Sequence, residues 1–271
     1  VNGASREALA SARESFDALA DNTAADAEKL AQDLAAVTAL LDREVSLRRV
    51  LTDPAQAGEA KAQLAARLLS GQVGEECAEL VAGVVRSRWS SSRDLVDALE
   101  ELAATAELVA AQRAGALDDV EDELFRFGRI VSSDSALRAA LTDKVAARAA
   151  KAQLLHSLLG GKAHPVTERL VVRLVTAPRG RSLEAGLTAL SKLAAERRDR
   201  MVAVVTSAVP LSDVQKQRLG DALAGLYGRR VHLNLDVDPE VLGGVQVRIG
   251  DEVINGTIAD RLAEAGRRMA G

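Results

Sequence analysis

The sequence predicts a mainly α chain with a small C-terminal α/β unit: two homologous helical bundles of about six helices each, then a β-sheet/helix domain. Three observations predict it. Alanine supplies 51 of the 271 residues, and Ala and Leu are strong helix formers. A block of 25 residues repeats at an offset of 90. After about residue 200 the apolar pattern changes from helical spacing to strict alternation.

The first bundle is read over 13–110. Leu9, Phe16 and Leu19 are followed by Leu30, Leu34, Val37 and Leu41 at helical spacing. Asp53-Pro54 and Gly71-Gln72-Val73-Gly74 break the pattern. The second bundle is read over 111–200, with Leu117, Val120, Leu124, Phe127 and Val131 in its first stripe. Gly160-Gly161 and His164-Pro165 break it. The repeat joins the two. Residues 47–71 and 137–161 share 14 of 25 positions, with Leu51-Thr52-Asp53 facing Leu141-Thr142-Asp143 and Lys61-Ala62-Gln63-Leu64 facing Lys151-Ala152-Gln153-Leu154. Upstream, Leu34 faces Leu124. Two copies at this period are a duplicated domain, because a solenoid needs shorter units in larger number. Each short amphipathic helix must bury its stripe against the others, which makes each copy a bundle. Whether 95–125 is one helix joining the copies stays open; Gly115 weakens it by about 1 kcal/mol relative to Ala.

The C-terminal domain is read over 201–271. Met201–Ala208 is a β-branched run. A helix follows, with Ser212 as N-cap and Val214, Leu219, Leu223 and Leu226 as its stripe. Residues 231–238 alternate, with Val231, Leu233, Leu235 and Val237 on one face. Val245, Val247 and Ile249 form another strand; Gly250-Asp251 is a turn signal, and Val253-Ile254 pairs back as a hairpin arm. Residues 257–269 read as a final helix with Thr257 as its cap.

Composition excludes several function classes. Aromatics are 2% and the net charge is -4, which disfavours a stacking groove for single-stranded nucleic acid. Three His and one Cys do not build a histidine- or thiolate-rich metal site. No apolar run approaches the roughly 20 residues of a membrane span. The modest net charge hides a division: residues 1–110 carry -8, residues 111–200 carry +5 and residues 201–271 carry -1. Duplicates of opposite charge meet different surfaces or each other, or have simply drifted on solvated faces.

Individual residues point away from catalysis. Gly160-Gly161-Lys162 lacks phosphate-loop spacing and reads as a helix end. His156, His164 and His232 lack ligand spacing. The acidic run from Asp118 to Glu123 suits a helix start. Cys77 reads as a small buried hydrophobe, and Trp89 either anchors a partner or caps the core.

The run Val205-Thr206-Ser207-Ala208, Pro210-Leu211-Ser212, then Asp238-Pro239, Gly243-Gly244 and Asn255-Gly256-Thr257, resembles the C-terminal signature of the ATP synthase delta subunit family. That family includes the oligomycin-sensitivity-conferral protein. Its usual D-G-S is replaced here by Asn255-Gly256-Thr257, a mild change, since Asn suits a turn and Thr a cap. Phe16-Asp17-Ala18-Leu19, Leu51-Thr52-Asp53-Pro54, Lys61 and Leu68-Leu69 resemble its helical domain. The departure is that there are two helical copies where one is usual. A duplicated delta region resembles the mycobacterial (actinobacterial) form, in which it follows a membrane-anchored b-type stalk segment. Residues 1–12 would then be a possible stalk connector, and a chain starting at Val1 fits a fragment of such a fusion.

The resemblance implies a non-catalytic peripheral-stalk (stator) subunit of an F-type ATP synthase, with no cofactor, no metal and no enzymatic site. Its partners would be the N-terminal helices of the F1 alpha subunits and the helices of the b-type stalk. It would contact the membrane only indirectly, at the cytoplasmic face of the cell membrane, and would bind no nucleic acid. Leu64, Leu68, Leu80, Leu154, Leu158 and Leu170 are the candidate lining of a partner-helix groove, the apolar surface such a helix needs. The competing reading is a soluble helical scaffold or adaptor outside the synthase.

Overall fold

A computed structural model describes residues 3–21, 25–199, 201–227, 231–238, 244–249 and 252–255. The chain divides into two compact units, Val1–Arg197 and Arg198–Gly271.

The first unit is helical. Its elements are α1 (Gly3–Ala20), α2 (Ala27–Arg43), α3 (Val45–Leu51), α4 (Gly58–Leu69), α5 (Glu75–Arg86), α6 (Ser92–Arg113), α7 (Leu117–Ser133), α8 (Ser135–Thr142), α9 (Arg148–Leu159), α10 (Pro165–Thr176) and α11 (Leu183–Arg198). Local chemistry sets several of the starts. The Asp26 carboxylate accepts from the Glu28 and Lys29 amides at 3.0 Å, and Asp134 accepts from Ala136 and Leu137 at 2.9 Å. His164 caps α10 through Nδ1, with Pro165 in the first turn. Gly71 and Gly161, 90 residues apart, both follow a helix end with φ near +70°, at 70° and 68°. Gly115 also takes a positive φ, so α6 and α7 are separate helices.

Two apolar cores form. The first gathers Phe16, Leu34, Leu41, Leu95, Leu99 and Leu102 with the rest of α1–α6. The second gathers Leu117, Val120, Leu124, Phe127, Leu155, Leu170 and Leu187 from α7–α11. Helix α6 belongs to both. Leu95, Ala98, Leu99, Leu102 and Ala106 face the first core, while Ala104, Leu108 and Ala111 face the second. The residues expected as a connector begin α1 from Gly3 onward, and Ser5, Ala8 and Ala12 are buried within it.

The second unit has β1 (Met201–Ser207), α12 (Asp213–Tyr227), β2 (Val231–Val237), β3 (Val245–Ile249) and β4 (Glu252–Asn255). The sheet order is β2-β1-β3-β4. β1 and β2 are parallel, joined by α12 as a βαβ crossover, and β3 and β4 are antiparallel neighbours. Ser212 and Gln215 form a capping box at the start of α12: the Ser212 amide donates to Gln215 Oε1 at 2.9 Å, and the Gln215 amide donates to Ser212 Oγ at 3.4 Å. The core holds Ala203, Val205, Leu223, Val247 and Ile249.

Two expectations for this unit are corrected. Val214 and Leu226 are exposed; Leu219, Leu223 and Tyr227, at i, i+4 and i+8, form the packed stripe of α12. On β2 the expected apolar face is covered at Val231 and Leu233 only, while Leu235 and Val237 are exposed, because β2 is an edge strand packed at its start. The Gly250-Asp251 turn, Pro239, Gly243, Gly256, Thr257 and the helix expected over 257–269 lie outside the described residues.

Candidate functional site

The repeat extends to single atoms. Asp53 Oδ1 accepts from the Ala55 amide at 2.9 Å, and Asp143 Oδ1 from Val145 at 2.8 Å. Thr52 Oγ1 donates to the Arg48 carbonyl at 2.9 Å, and Thr142 Oγ1 to that of Arg138 at 2.7 Å. Arg48 and Arg138 each reach back six residues, to the carbonyls of Asp42 and Ser132. The Gly74 amide donates to Asp33 at 2.8 Å, and its counterpart, the His164 amide, donates to Glu123 at 2.9 Å.

Where the copies face each other they differ. Five arginines of 169–197 reach acidic or polar groups of 17–112. Arg169 Nε and Nη2 donate to Glu107 Oε2 at 2.9 and 2.7 Å, and Arg173 Nη2 lies 2.7 Å from Glu107 Oε1. Glu107 sits on α6 and is fully buried. Arg169 also lies 3.4 Å from Glu28 of α2. Its hydrogen bond to Glu107 is the main cause that raises the guanidinium above its ordinary range. Arg179, in the loop before α11, pairs with Glu100 and lies 3.7 Å from Asp97; Arg181 shares Glu100. Arg197 donates to Gln112 Oε1 at 2.6 Å and lies 3.7 Å from Asp17. The opposite charges of the copies therefore meet each other.

Above this seam lies a cleft of about 820 Å³. Helix α6 contributes Ala98, Ala103 and Ala104, the first copy Leu9, Ala35 and Ala39, and the second Leu170, Leu174, Leu190 and Leu193. Gly186 keeps α11 close to α10: a Cβ there would stand 2.3 Å from Leu174 Cδ1.

The six leucines expected to line one groove divide three ways. Leu80 and Leu170 are core residues, and Leu170 also borders the cleft. Leu64 and Leu154 are partly buried against the two cores. Leu68 and Leu158, at matched positions on α4 and α9, are exposed at 46% and 38%. Of the signature residues, Asp238 follows β2 and its amide donates to the Ser207 carbonyl at 3.0 Å, Gly244 takes φ 85° just before β3, and Asn255 ends β4 opposite Gln246. Trp89 is buried and its indole donates to the Val84 carbonyl at 3.0 Å, so it caps the first core. Cys77 is buried, and His156 is an exposed residue paired with Glu168 at 2.7 Å. Among the described residues no cluster of three or more His, Cys, Asp or Glu is placed to hold a metal, and no helix is long and apolar enough to cross a membrane.

Sequence reasoning missed Glu107. The available signal was a carboxylate inside an apolar run, Ala103–Ala111, together with Arg169 and Arg173 four apart on a later helix.

A family model described as ATP synthase delta (OSCP) subunit matches residues 104–269. The chain is 77% identical over 271 residues to the ATP synthase subunit delta of Streptomyces griseus, each covered in full. The chain belongs to the ATP synthase delta (OSCP) subunit family. Delta subunits of Streptomyces avermitilis, at 74% identity over 270 residues, and of Acidothermus cellulolyticus, at 51% over 273, cover all of this chain and 99% and 100% of their own lengths. The likeness to these delta subunits thus includes both helical copies. Delta-family membership makes the chain a peripheral-stalk subunit of ATP synthase, a structural part of the complex, and does not favour an unrelated adaptor.

Proposed function

We propose that this delta-family subunit is a non-catalytic joint: it holds the N-terminal helices of F1 alpha subunits at its helical unit and b-type stalk helices elsewhere, and resists rotation. It would lie at the cytoplasmic face of the cell membrane, reaching the membrane only through the stalk. The observation that carries this reading is the shared helix. One α6 serves two cores, and the arginines of the second copy close onto the acids of the first. A part that transmits load without yielding needs such a cross-braced body. An amphipathic partner helix needs exposed apolar anchors, and Leu68 and Leu158 supply one at the same position in each copy. The family match begins at 104, the first α6 residue of the second core, and this supports the second copy with the C-terminal unit as the part that keeps the usual delta role.

Separate expression of 1–110 and 111–200 would cut α6, so the test uses the intact chain. Peptides of the alpha-subunit N-terminus are titrated against it and against Leu68→Glu and Leu158→Glu. Loss of one binding step in each variant supports two sockets; loss only in Leu158→Glu assigns the socket to the second copy. Unchanged binding in both variants overturns the assignment to these leucines. Tagged chain that recovers neither alpha nor b-type subunits from its own cell extract overturns the joint itself.

A further inference from the structure

We infer that the angle between the two helical copies is set by an ionic latch along α6, centred on Glu107, rather than by apolar packing. The two cores are separate, and among the described residues only α6 enters both. The surface α6 offers the second core is slight: Ala104, Leu108 and Ala111. The rest of that face is polar, with Asp97, Glu100, Glu107 and Gln112 each engaged by an arginine of the second copy. The outermost of these positions lie 15 residues apart along the helix, about 22 Å at 1.5 Å per residue. The latch also reaches past α6, since Arg169 lies 3.4 Å from Glu28 of α2 and Arg197 lies 3.7 Å from Asp17 of α1.

Ion pairs are directional where small apolar contacts are not. Arg169 holds Glu107 Oε2 with two nitrogens while Arg173 takes Oε1, and the further pairs of Arg179 and Arg181 with Glu100 lie along the same helix, so together they resist rotation about α6. Glu107 is the keystone because it is fully buried and both its oxygens are engaged, one by Arg169 and one by Arg173. A buried charge that loses its partners is strongly unfavourable, so the second copy cannot rotate about α6 without breaking that pair. The cleft of about 820 Å³ beside the seam is free volume into which the copies would swing once released.

The test measures the distance between spin labels at Ala18→Cys and Val145→Cys in the intact chain with Cys77→Ala, both labelled sites being exposed. One narrow distance distribution is expected for this parent. Glu107→Gln keeps the shape and removes the charge. It should broaden the distribution or add a second distance in roughly a tenth or more of the molecules, with helical content retained. A distribution that stays as narrow as the parent's in folded Glu107→Gln overturns the latch. If Glu107→Gln does not fold, Glu100→Gln decides instead, since it releases Arg179 and Arg181 at a less buried site. Broadening there supports the latch, and an unchanged distribution overturns it.

Discussion

The two helical copies keep the same backbone chemistry and differ where they face each other. Trp89 and Arg179 occupy matched positions before the last helix of each copy. In the first, the indole closes the core on Val84; in the second, the guanidinium leaves its own core and pairs with Glu100 of the first. Elsewhere along the seam, Arg169, Arg173 and Arg181 of the positively charged copy likewise pair with Glu107 and Glu100 of the negatively charged one. Turns and caps close the chain locally, so they tolerate little change in either copy. A surface that meets a second surface is free to diverge, provided the two change together.

The copies also differ in how tightly they pack. Helix α4 buries Lys61, Ala62, Ala65 and Leu69, whereas its counterpart α9 buries Leu155 alone. Gly58 gives a reason. A Cβ there would stand 2.5 Å from the Arg86 carbonyl oxygen, so glycine lets α4 reach α5, and the matched position in the second copy is Arg148, whose side chain is exposed.

The largest expected effect tests whether the copies are one cooperative body. Leu34 and Leu124 are matched and both fully buried. Leu34→Ala and Leu124→Ala should each cost about 2–5 kcal/mol. Because α6 is common to both cores, each variant should lower one shared thermal transition of the helical unit. Two transitions, with each variant moving only its own, would break the comparison at its root.

A smaller effect is expected at the packing difference. Gly58→Ala should cost about 1–3 kcal/mol by overpacking against backbone that cannot move aside. Arg148→Ala should change stability by no more than about 0.5 kcal/mol, as an exposed side chain away from any core. Chemical denaturation of both variants measures the contrast, and equal costs would mean that the close approach of α4 to α5 does not set the tightness of the first copy.

Much of this was legible in the sequence because it is local. The repeat, the strands, the Ser212 cap, the Gly160-Gly161 helix end and the buried Cys77 all follow from spacing and residue type within a few positions. The double duty of α6 was not, since a helix with Ala and Leu on every side has no single stripe to read. Glu107 reads as a surface acid until Arg169 and Arg173, more than 60 residues away, are brought beside it. The burial of the six leucines was not legible for a related reason: periodicity marks which residues are apolar on one face, but not whether that face meets the chain's own core, as at Leu80, or solvent, as at Leu68. On α12 the choice between Leu226 and Tyr227 depended on which side the sheet lay.

The smallest effect concerns matched residues in the first turns of α5 and α10. Thr167 is buried and its hydroxyl donates to Glu123 Oε2 at 2.5 Å, while its counterpart Cys77 sits near Asp33. Burial first, and the Asp33 charge second, push the Cys77 thiol up from 9.0 to about 12. The folded chain therefore holds this proton more tightly than the unfolded chain. Below the ordinary thiol range the shift has no effect on stability; above about pH 9 the unfolded state releases the proton first, and stability falls as pH rises toward 12. At pH 8 the native thiol should react with iodoacetamide only through opening of the first copy, far more slowly than in denaturant. Cys77→Thr, which installs the second copy's residue, should remove that alkaline loss while leaving neutral stability nearly unchanged. Labelling of the native chain at the denatured rate would show instead that the first copy opens freely around α5, and that its denser core does not make it the more rigid half.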